Sequence, residues 1–469
     1  MSCIINNLPS KKSVLLPILV SLTLTSCATL SPDRDLSSVQ KETQTRLGKD
    51  IKLAKTENDQ QAITNRVNEL LKEPLTADCA VQIALLNNKG LQASLYEVGI
   101  SDADLVQATR LPNPKLSLRY AKNGSDYNIE QILTFNIFSL FTIPLAKEIG
   151  ERQLEQTKAA VTLDVLRLAG DTRRAYFNAI ATEQAVAYMQ QVTTAAEASN
   201  DLAQKMLEAG NFSKPDQARE QVFYAEVTIE ASRTKQAEIA AREQLIRLMG
   251  LLDAQTQFKL PERLPELPTE MTAQPNIEAT AMKQRLDIVA MQAQMAGLAK
   301  NLGLSKATRF INVLEIGPAR VLDGKRNSGY KTGVEISVEL PIFDFGTAKV
   351  AKAEAIYMQA MNRAAEQAVN ARSEVREAYF NYRSTYDIAK QYRDEIVPLR
   401  KRISDENTLR YNGMLISVFE LLTDAQTQVA AVHGYIQALR DFWVAEAELE
   451  TAMAGKPAAM MNTEKDMQK

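Results

Sequence analysis

The sequence predicts an α+β membrane protein in which long α-helical hairpins carry four β-strands per chain. Three observations lead there. Arg173-x-Ala175-Tyr176-Phe177-Asn178 returns 203 residues later as Arg376-x-Ala378-Tyr379-Phe380-Asn381, and the acid Asp171 returns as Glu374. Two stretches of good helix formers, Leu145 to Ala209 and about Gly346 to Tyr411, run far beyond ordinary helix length. Between them, Tyr330 to Leu340 alternates strictly between apolar and polar residues.

A 203-residue period is too long for a solenoid, whose units run about 20–50 residues. It indicates a duplicated unit of domain size. At the same offset Ala209-Gly210 returns as Asn412-Gly413. Aromatics are 6% and Gly and Pro are sparse, which is the vocabulary of long helices. The 55 Lys and Arg nearly balance 57 Asp and Glu, so the chain is not built around a nucleic-acid backbone. His433 is the only histidine, and the sequence holds no phosphate loop, Gly-x-Ser-x-Gly or zinc spacing. No enzyme, metal site or bound cofactor is expected. Cys79 reads as a small helix residue without a disulfide partner.

Residues 1–26 read as an export leader. Lys11 and Lys12 precede an apolar stretch, Val14 to Leu24, too short to span a bilayer. It ends in Leu24-Thr25-Ser26-Cys27, a bacterial lipoprotein pattern. Cys27 is the expected site of diacylglycerol and N-acyl attachment, since several chains at one site anchor durably. The other reading is simple cleavage with Cys27 incidental. Residues 27–74 then form an acylated N-terminal segment, 75–250 the first repeat, 251–275 a linker, 276–455 the second repeat and 456–469 a polar tail.

Each repeat follows one order: helix, paired strands, very long helix, turn, long helix. In the first, a helix runs from Leu75 through Asn88 to Ala108 and stops before Pro112 and Pro114. Leu116, Leu118 and Tyr120 mark one strand. After the Asn123-Gly124-Ser125 turn, Ile129, Leu133, Phe135 and Ile137 mark another. Pro144 closes the region, and Leu145 to Ala209 forms a rod of roughly 95 Å. In the second repeat a helix covers Ile277 to Leu302, a weaker strand Phe310 to Ile316 and a clear one Tyr330 to Leu340. The latter sets Tyr330, Thr332, Val334, Ile336, Val338 and Leu340 on one face. A tilted membrane strand and a soluble sheet with one wet face both fit this alternation. Pro398 should kink or divide the second rod. Four strands cannot close a barrel in hydrocarbon, where open edges are intolerable, so at least two copies would have to share one.

These residues carry a resemblance. The duplicated half and the Leu-Asn-Asn…Leu91-Gln92-Ala93 helix are two parts of it. The others are the Leu111-Pro112-Asn113-Pro114 step and Leu340-Pro341-Ile342-Phe343-Asp344-Phe345-Gly346. In this order, over residues 75 to 455, they resemble the TolC-like outer-membrane efflux proteins, and the Cys27 pattern resembles the lipoprotein branch. The resemblance implies a homotrimer with a shared 12-stranded barrel in outer-membrane lipid and a helical tunnel across the periplasm. It implies a passive exit duct of a tripartite efflux or type I secretion system, served by a periplasmic adaptor and an inner-membrane pump. The first repeat departs from the pattern at Phe138 to Pro144, which lacks the Pro-x-x-Asp-x-Gly form of the second.

The hairpin turns are the expected working end. Ser213 to Asp216 and Ser417 to Glu420 fit capping boxes. One turn later stand Glu220 and Asp424 on the same face, which capping does not explain. Asp424 and Glu420, with Glu220 and Asp216 behind them, are the candidate periplasmic gate and selectivity acids. Solvated helix charges are the plainer reading. Ala209, Gly210, Asn211 and Asn412, Gly413, Met414 are the candidate adaptor contacts, and the same glycines would supply the positive φ of helix C-caps. A periplasmic adaptor or a coiled-coil scaffold lipoprotein is the alternative function; two hairpins and four strands argue against the adaptor.

Overall fold

The computed structural model describes residues 36–455 except 272–274, 311–312 and 326. The expectations for the leader 1–26, for Cys27 and for the tail 456–469 lie outside the described residues. Contacts divide the chain into two compact units that cut across the sequence repeats. A sheet unit holds Val98–Thr157 and Gln292–Asn362. A hairpin unit holds Ser37–Glu97, Lys158–Met291 and the chain from Arg363 onward.

In chain order the helices are α1 (Ser37–Leu47), α2 (Glu57–Leu70), α3 (Ala77–Asn87), α4 (Lys89–Ala108), α5 (Phe138–Glu208) and α6 (Lys214–Met249). They continue with α7 (Ile277–Gln284), α8 (Leu286–Ala307), α9 (Thr347–Gln391), α10 (Val397–Asn412) and α11 (Val418–Ala454). Strands β1 (Lys115–Asn123) and β2 (Asp126–Asn136) lie between α4 and α5, and β3 (Leu314–Lys325) and β4 (Lys331–Val338) between α8 and α9. No described helix is long and apolar enough to cross a membrane.

The sheet is antiparallel with strand order β1-β2-β3-β4. Gly124, at φ +57, makes the tight turn between β1 and β2. β3 corrects the expectation of a short strand ending at Ile316. The strand continues through Gly317 and Pro318 to Lys325. The β2–β3 register runs through Ile132 opposite Ala319 and resumes at Phe135 opposite Ile316, so the ladder lapses where Pro318 offers no N–H. Gly317 fits there because Leu133 leaves no room: a Cβ would lie 1.7 Å from its carbonyl oxygen.

The expected boundary at Pro144 is also corrected. α5 begins at Phe138 and Pro144 lies inside it. Asn136 supplies the start signal, its Oδ1 accepting from the Ser139 N–H at 3.3 Å. Pro144 then removes a single helical bond, within the first two turns.

In the hairpin unit, the two helices expected at Leu75–Ala108 and Ile277–Leu302 are each broken in two. Asn88 (φ −64, ψ 119) parts α3 from α4, and Arg285 (φ −64, ψ 124) parts α7 from α8. Side-chain hydrogen bonds made at the breaks account for both. Asn88 Nδ2 donates to the Leu248 carbonyl at 2.9 Å, and Asn87 Nδ2 to the Gly250 carbonyl at 2.6 Å, at the end of α6. Arg285, 0% exposed, donates to the Ala452 carbonyl at 3.0 Å, at the end of α11. Each break thus caps the returning long helix of its own repeat. Arg285 also binds Asp287 at 2.6 and 3.0 Å and Glu374 at 3.0 Å. Burial alone would lower the Arg285 pKa, but these carboxylates outweigh it and hold the guanidinium above its ordinary value.

The core of this unit is an aromatic run. Tyr176 meets Phe177, Phe177 stacks on Trp443, Trp443 meets Phe442, and Phe442 touches Tyr382 and Tyr386, with centroids 5.1 to 5.7 Å apart. The sequence echo does not equalise burial: Phe177 is in this core, whereas Phe380 is 74% exposed. The linker between repeats is pinned on the same core. Trp443 Nε1 donates to the Pro265 carbonyl at 3.0 Å, and the Tyr386 hydroxyl to that of Thr269 at 3.0 Å.

Three substitutions check this account. Gly317→Ala is expected to cost at least about 1–3 kcal/mol by overpacking against Leu133, read as a lowered melting temperature. Gly303→Ala, in α8 with nothing within 4 Å of its Cβ, is expected to gain about 0.5–1 kcal/mol. Arg285→Gln leaves Asp287 buried with a weaker partner and is expected to cost about 3–5 kcal/mol in denaturant unfolding.

Candidate pore face and hairpin tips

The register sorts the four strands into two faces. Opposed residues share a face, so Leu116, Leu118, Tyr120, Tyr127, Ile129, Leu133, Phe135, Leu314, Ile316, Leu322, Val334, Ile336 and Val338 all lie together. The expected apolar set of β4 belongs to this face. The other face carries Lys115, Arg119, Asn128, Glu130, Thr134, Glu315, Asp323, Lys331, Glu335 and Ser337. Three ion pairs cross its strands: Lys115 to Glu315 at 2.5 Å, Arg119 to Glu130 at 3.4 Å and Lys331 to Asp323 at 4.0 Å. One face suits hydrocarbon and the other water. β1 and β4 each have one edge with no strand beside it among the described residues.

The first tip joins α5 to α6. Asn211 N–H donates to the Met206 carbonyl at 2.9 Å and Gly210 N–H to that of Leu207 at 3.0 Å, with Gly210 at φ +77. This is a Schellman ending with Gly210 in the left-handed position. Ser213 caps α6 by accepting from the Asp216 N–H at 3.3 Å. The Asp216 carboxylate takes the Ser213 hydroxyl and Arg219, both at 2.5 Å. Glu220 is 2% exposed and accepts from the Ser199 hydroxyl at 2.9 Å across the hairpin. Asp216 and Glu220 are therefore both engaged within their own hairpin.

The second tip corrects the expectation for Gly413. Its φ is −80, and Met414 takes the left-handed position at φ +60. Leu415 N–H donates to the Arg410 carbonyl at 2.8 Å and Met414 N–H to that of Tyr411 at 2.9 Å. The same ending is built one residue later, so Gly210 corresponds to Met414 rather than to Gly413.

The extra residue has a place. Between α9 and α10 the helix passes through a π turn, Tyr392–Ile396, where Val397 N–H reaches back five residues to the Tyr392 carbonyl. A π turn accommodates one inserted residue in an α-helix. It precedes Pro398, so the expected division of the second rod is found there. Gly434 of α11 makes room for it, since a Cβ would stand 2.8 Å from the Tyr392 hydroxyl. Before the π turn the repeats correspond at 203 residues; after it Ser213 matches Ser417, Asp216 matches Glu420 and Glu220 matches Asp424 at 204.

The matched acids differ in their surroundings. Ser417 caps α11, accepting from the Glu420 N–H at 3.2 Å, and the Glu420 side chain is exposed. Asp424 is 9% exposed, and its Oδ2 is buried without a hydrogen-bond partner. The position matching Ser199 is Ile403, which has no donor to give. Of the four acids, Asp424 alone has a buried carboxylate oxygen left unmatched. The tip residues Met414, 93% exposed, and Leu415 present apolar surface to solvent. Periodicity places these acids on one face; the correspondence of Ile403 to Ser199 follows only once the inserted residue is located.

No family model matches the sequence. A curated relative, the cobalt-zinc-cadmium resistance protein CzcC of Cupriavidus metallidurans, is 21% identical over 285 residues. That match spans 58% of this chain and 64% of the relative, so the chain matches less than two thirds of that protein's length. Among solved structures, a membrane protein from Pseudomonas aeruginosa aligns with TM-score 0.70 and 17% identity, over 81% of this chain and 93% of its own. The open-state MtrE outer membrane channel of Neisseria gonorrhoeae gives 0.68 and 17%, over 81% and 90%. CusC, whose structures describe transmembrane channel formation, gives 0.66 and 17%, over 83% and 92%. The chain has the TolC-like fold, long helices joined to a four-stranded antiparallel sheet, that it shares with the CusC and MtrE channels.

Proposed function

We propose that this chain is the outer-membrane channel of a tripartite efflux system, a passive conduit and not an enzyme. The observation that carries the reading is the sheet. It has one apolar face, one face with cross-strand ion pairs and two bare edges, and the four helices that flank its strands, α4, α5, α8 and α9, join it at the same end. Bare edges in hydrocarbon cost several kcal/mol per unmatched group. Pairing the β1 edge of one copy with the β4 edge of the next removes that cost, and three copies give a 12-stranded barrel. The paired charges then line the aqueous side. Anchoring through acylated Cys27 belongs to the same reading.

The hairpin tips are proposed to meet a periplasmic adaptor, which links the duct to an inner-membrane pump. Ala209, Gly210, Asn211 and Asn412, Gly413, Met414 are the contacts, with exposed Met414 and Leu415 as the apolar surface on the second tip. Asp424 and Glu420 are proposed as the gate and selectivity acids, three of each in a trimer. An unmatched carboxylate oxygen on Asp424 favours a cation or a donor from a neighbouring copy. Glu220 and Asp216 serve the first hairpin's own structure.

Planar-bilayer recording separates these roles. Asp424→Asn is expected to lower cation selectivity, seen as a smaller reversal potential in a KCl gradient; an unchanged potential would sink the gate assignment. Glu220→Gln is expected to leave selectivity intact and cost about 1–3 kcal/mol through its bond to Ser199. Met414→Gly relieves the left-handed strain, so trimers should resist heat at least as well while export falls. Full export by that variant would remove Met414 from the adaptor contact. Absence of detergent-stable trimers from the membrane fraction would overturn the channel reading itself.

A further inference from the structure

The apolar face of the sheet is not uniformly apolar. Counting from the hairpin turns, its first rows hold Lys122 opposite Tyr127, then Tyr120, Ile129 and Leu322 on one row, then Gln131 and Arg320 opposite Thr332. Lys122 and Arg320 are the only charged residues this face carries in the four strands, and no Asp or Glu lies on it. Both stand over tyrosine rings: Lys122 Nζ is 5.4 Å from the Tyr127 centroid, and the Arg320 guanidinium carbon 4.4 Å from that of Tyr330. Tyr120 and Tyr127 lie 6.3 Å apart beside them. Beyond Arg320 the face runs through Leu314 and Ile316 on β3, about 20 Å along the strand, without a charge.

The opposite face of the same strands handles charge differently. There Lys115, Arg119 and Lys331 each have a carboxylate within 4.0 Å. Sequence composition does not force this contrast, since acids are plentiful nearby at Asp126, Glu130 and Asp323. The fold sends every acid to one face and leaves two cations, seated on aromatic rings, on the other. Tyrosines and snorkelling cations collect at a membrane–water interface, where a charge on a barrel's lipid face costs least. Lys122 lies beside the β1–β2 turn, and Arg320 stands at mid-strand in β3, opposite Thr332 near the start of β4.

We propose that Lys122 and Arg320, framed by Tyr120, Tyr127 and Tyr330, bind the phosphate groups of an anionic lipid in the leaflet that surrounds the hairpin turns. The proposal rests on the channel reading for placing this face in lipid. Charge complementarity selects the occupant: unpaired-by-acid cations at an apolar boundary fit a phosphorylated headgroup. Tyrosine rings hold the cations without neutralising them.

The full-length chain, purified in neutral detergent, is titrated with lipid A bearing both phosphates, with dephosphorylated lipid A and with phosphatidylcholine. Bound lipid is read by native mass spectrometry. Wild type is expected to bind the phosphorylated form roughly tenfold more tightly than the dephosphorylated one. Arg320→Gln/Lys122→Gln is expected to erase that preference, and Arg119→Gln/Lys331→Gln, on the other face, to keep it. Equal binding of both forms by wild type overturns the proposal. So does an unchanged preference in the first double variant, or equal loss in the second. Displacement of lipid A by millimolar inorganic phosphate would mark a free-anion site instead. If a variant fails to fold, the wild-type comparison still decides. Conductance in phosphatidylcholine bilayers is recorded alongside: a chain that binds lipid A but never conducts refutes the channel and leaves the lipid site standing.

Discussion

The second long helix carries one residue more than the first, and the backbone takes it up at Tyr392–Ile396. A helix has no slack: each residue adds 100° and about 1.5 Å, so an inserted one must either rotate everything beyond it or be absorbed in a wider turn. Absorption keeps the core contacts on both sides. Tyr382 and Tyr386 precede the π turn and meet Phe442 of α11, and Tyr392 fits against Gly434 within the turn. Beyond the turn the repeats correspond again, now at 204 residues, and the tips differ by substitution. Ser199 donates to Glu220 in one hairpin, while Ile403 takes the matching sequence position in the other. The two matched pairs are equally far apart in sequence, so the chemical difference between the tips is the replacement of Ser199 by Ile403 and not the insertion itself.

The helix ends show the repeats solving one problem with different residues. A long helix leaves four carbonyls unmatched at its C-terminus. α6 is finished by amides from Asn87 and Asn88, and α11 by the guanidinium of Arg285. The amide solution is neutral. The arginine solution requires carboxylates, and Asp287 and Glu374 supply them. Gln367 adds a further donor to Asp287 at 2.8 Å. Glu374 is the echo of Asp171, yet Asp171 pairs with Arg174 and Arg167 along its own helix. A retained acid has been turned to a different use.

In the sheet unit the governing physics is the pleat. Because side chains alternate strictly, a polar residue moved one place along a strand would change faces. The register therefore distributes charge as well as apolar surface. The lapse at Gly317-Pro318 is tolerated because the pairing resumes in the same register on both sides, so no residue changes face across it.

Much of this was legible in the sequence. Helix formers, alternation and the 203-residue echo specify long hairpins and strands, because helical and strand periods differ and each is written locally. The division of the second rod near Pro398 and the caps at Ser213 and Ser417 were legible for the same reason: each depends on a few neighbouring residues. Other features depend on partners distant in sequence. The helix breaks at Asn88 and Arg285 exist because carbonyls about 160 residues away need donors. β3 runs through Gly317-Pro318 because Leu133 approaches there. Gly413 reads as the left-handed residue by type, but Met414 takes that role because the upstream π turn shifts the register. Local chemistry wrote the elements; only tertiary packing decided which of their polar groups are matched and which, like Asp424, are left with an unmet demand.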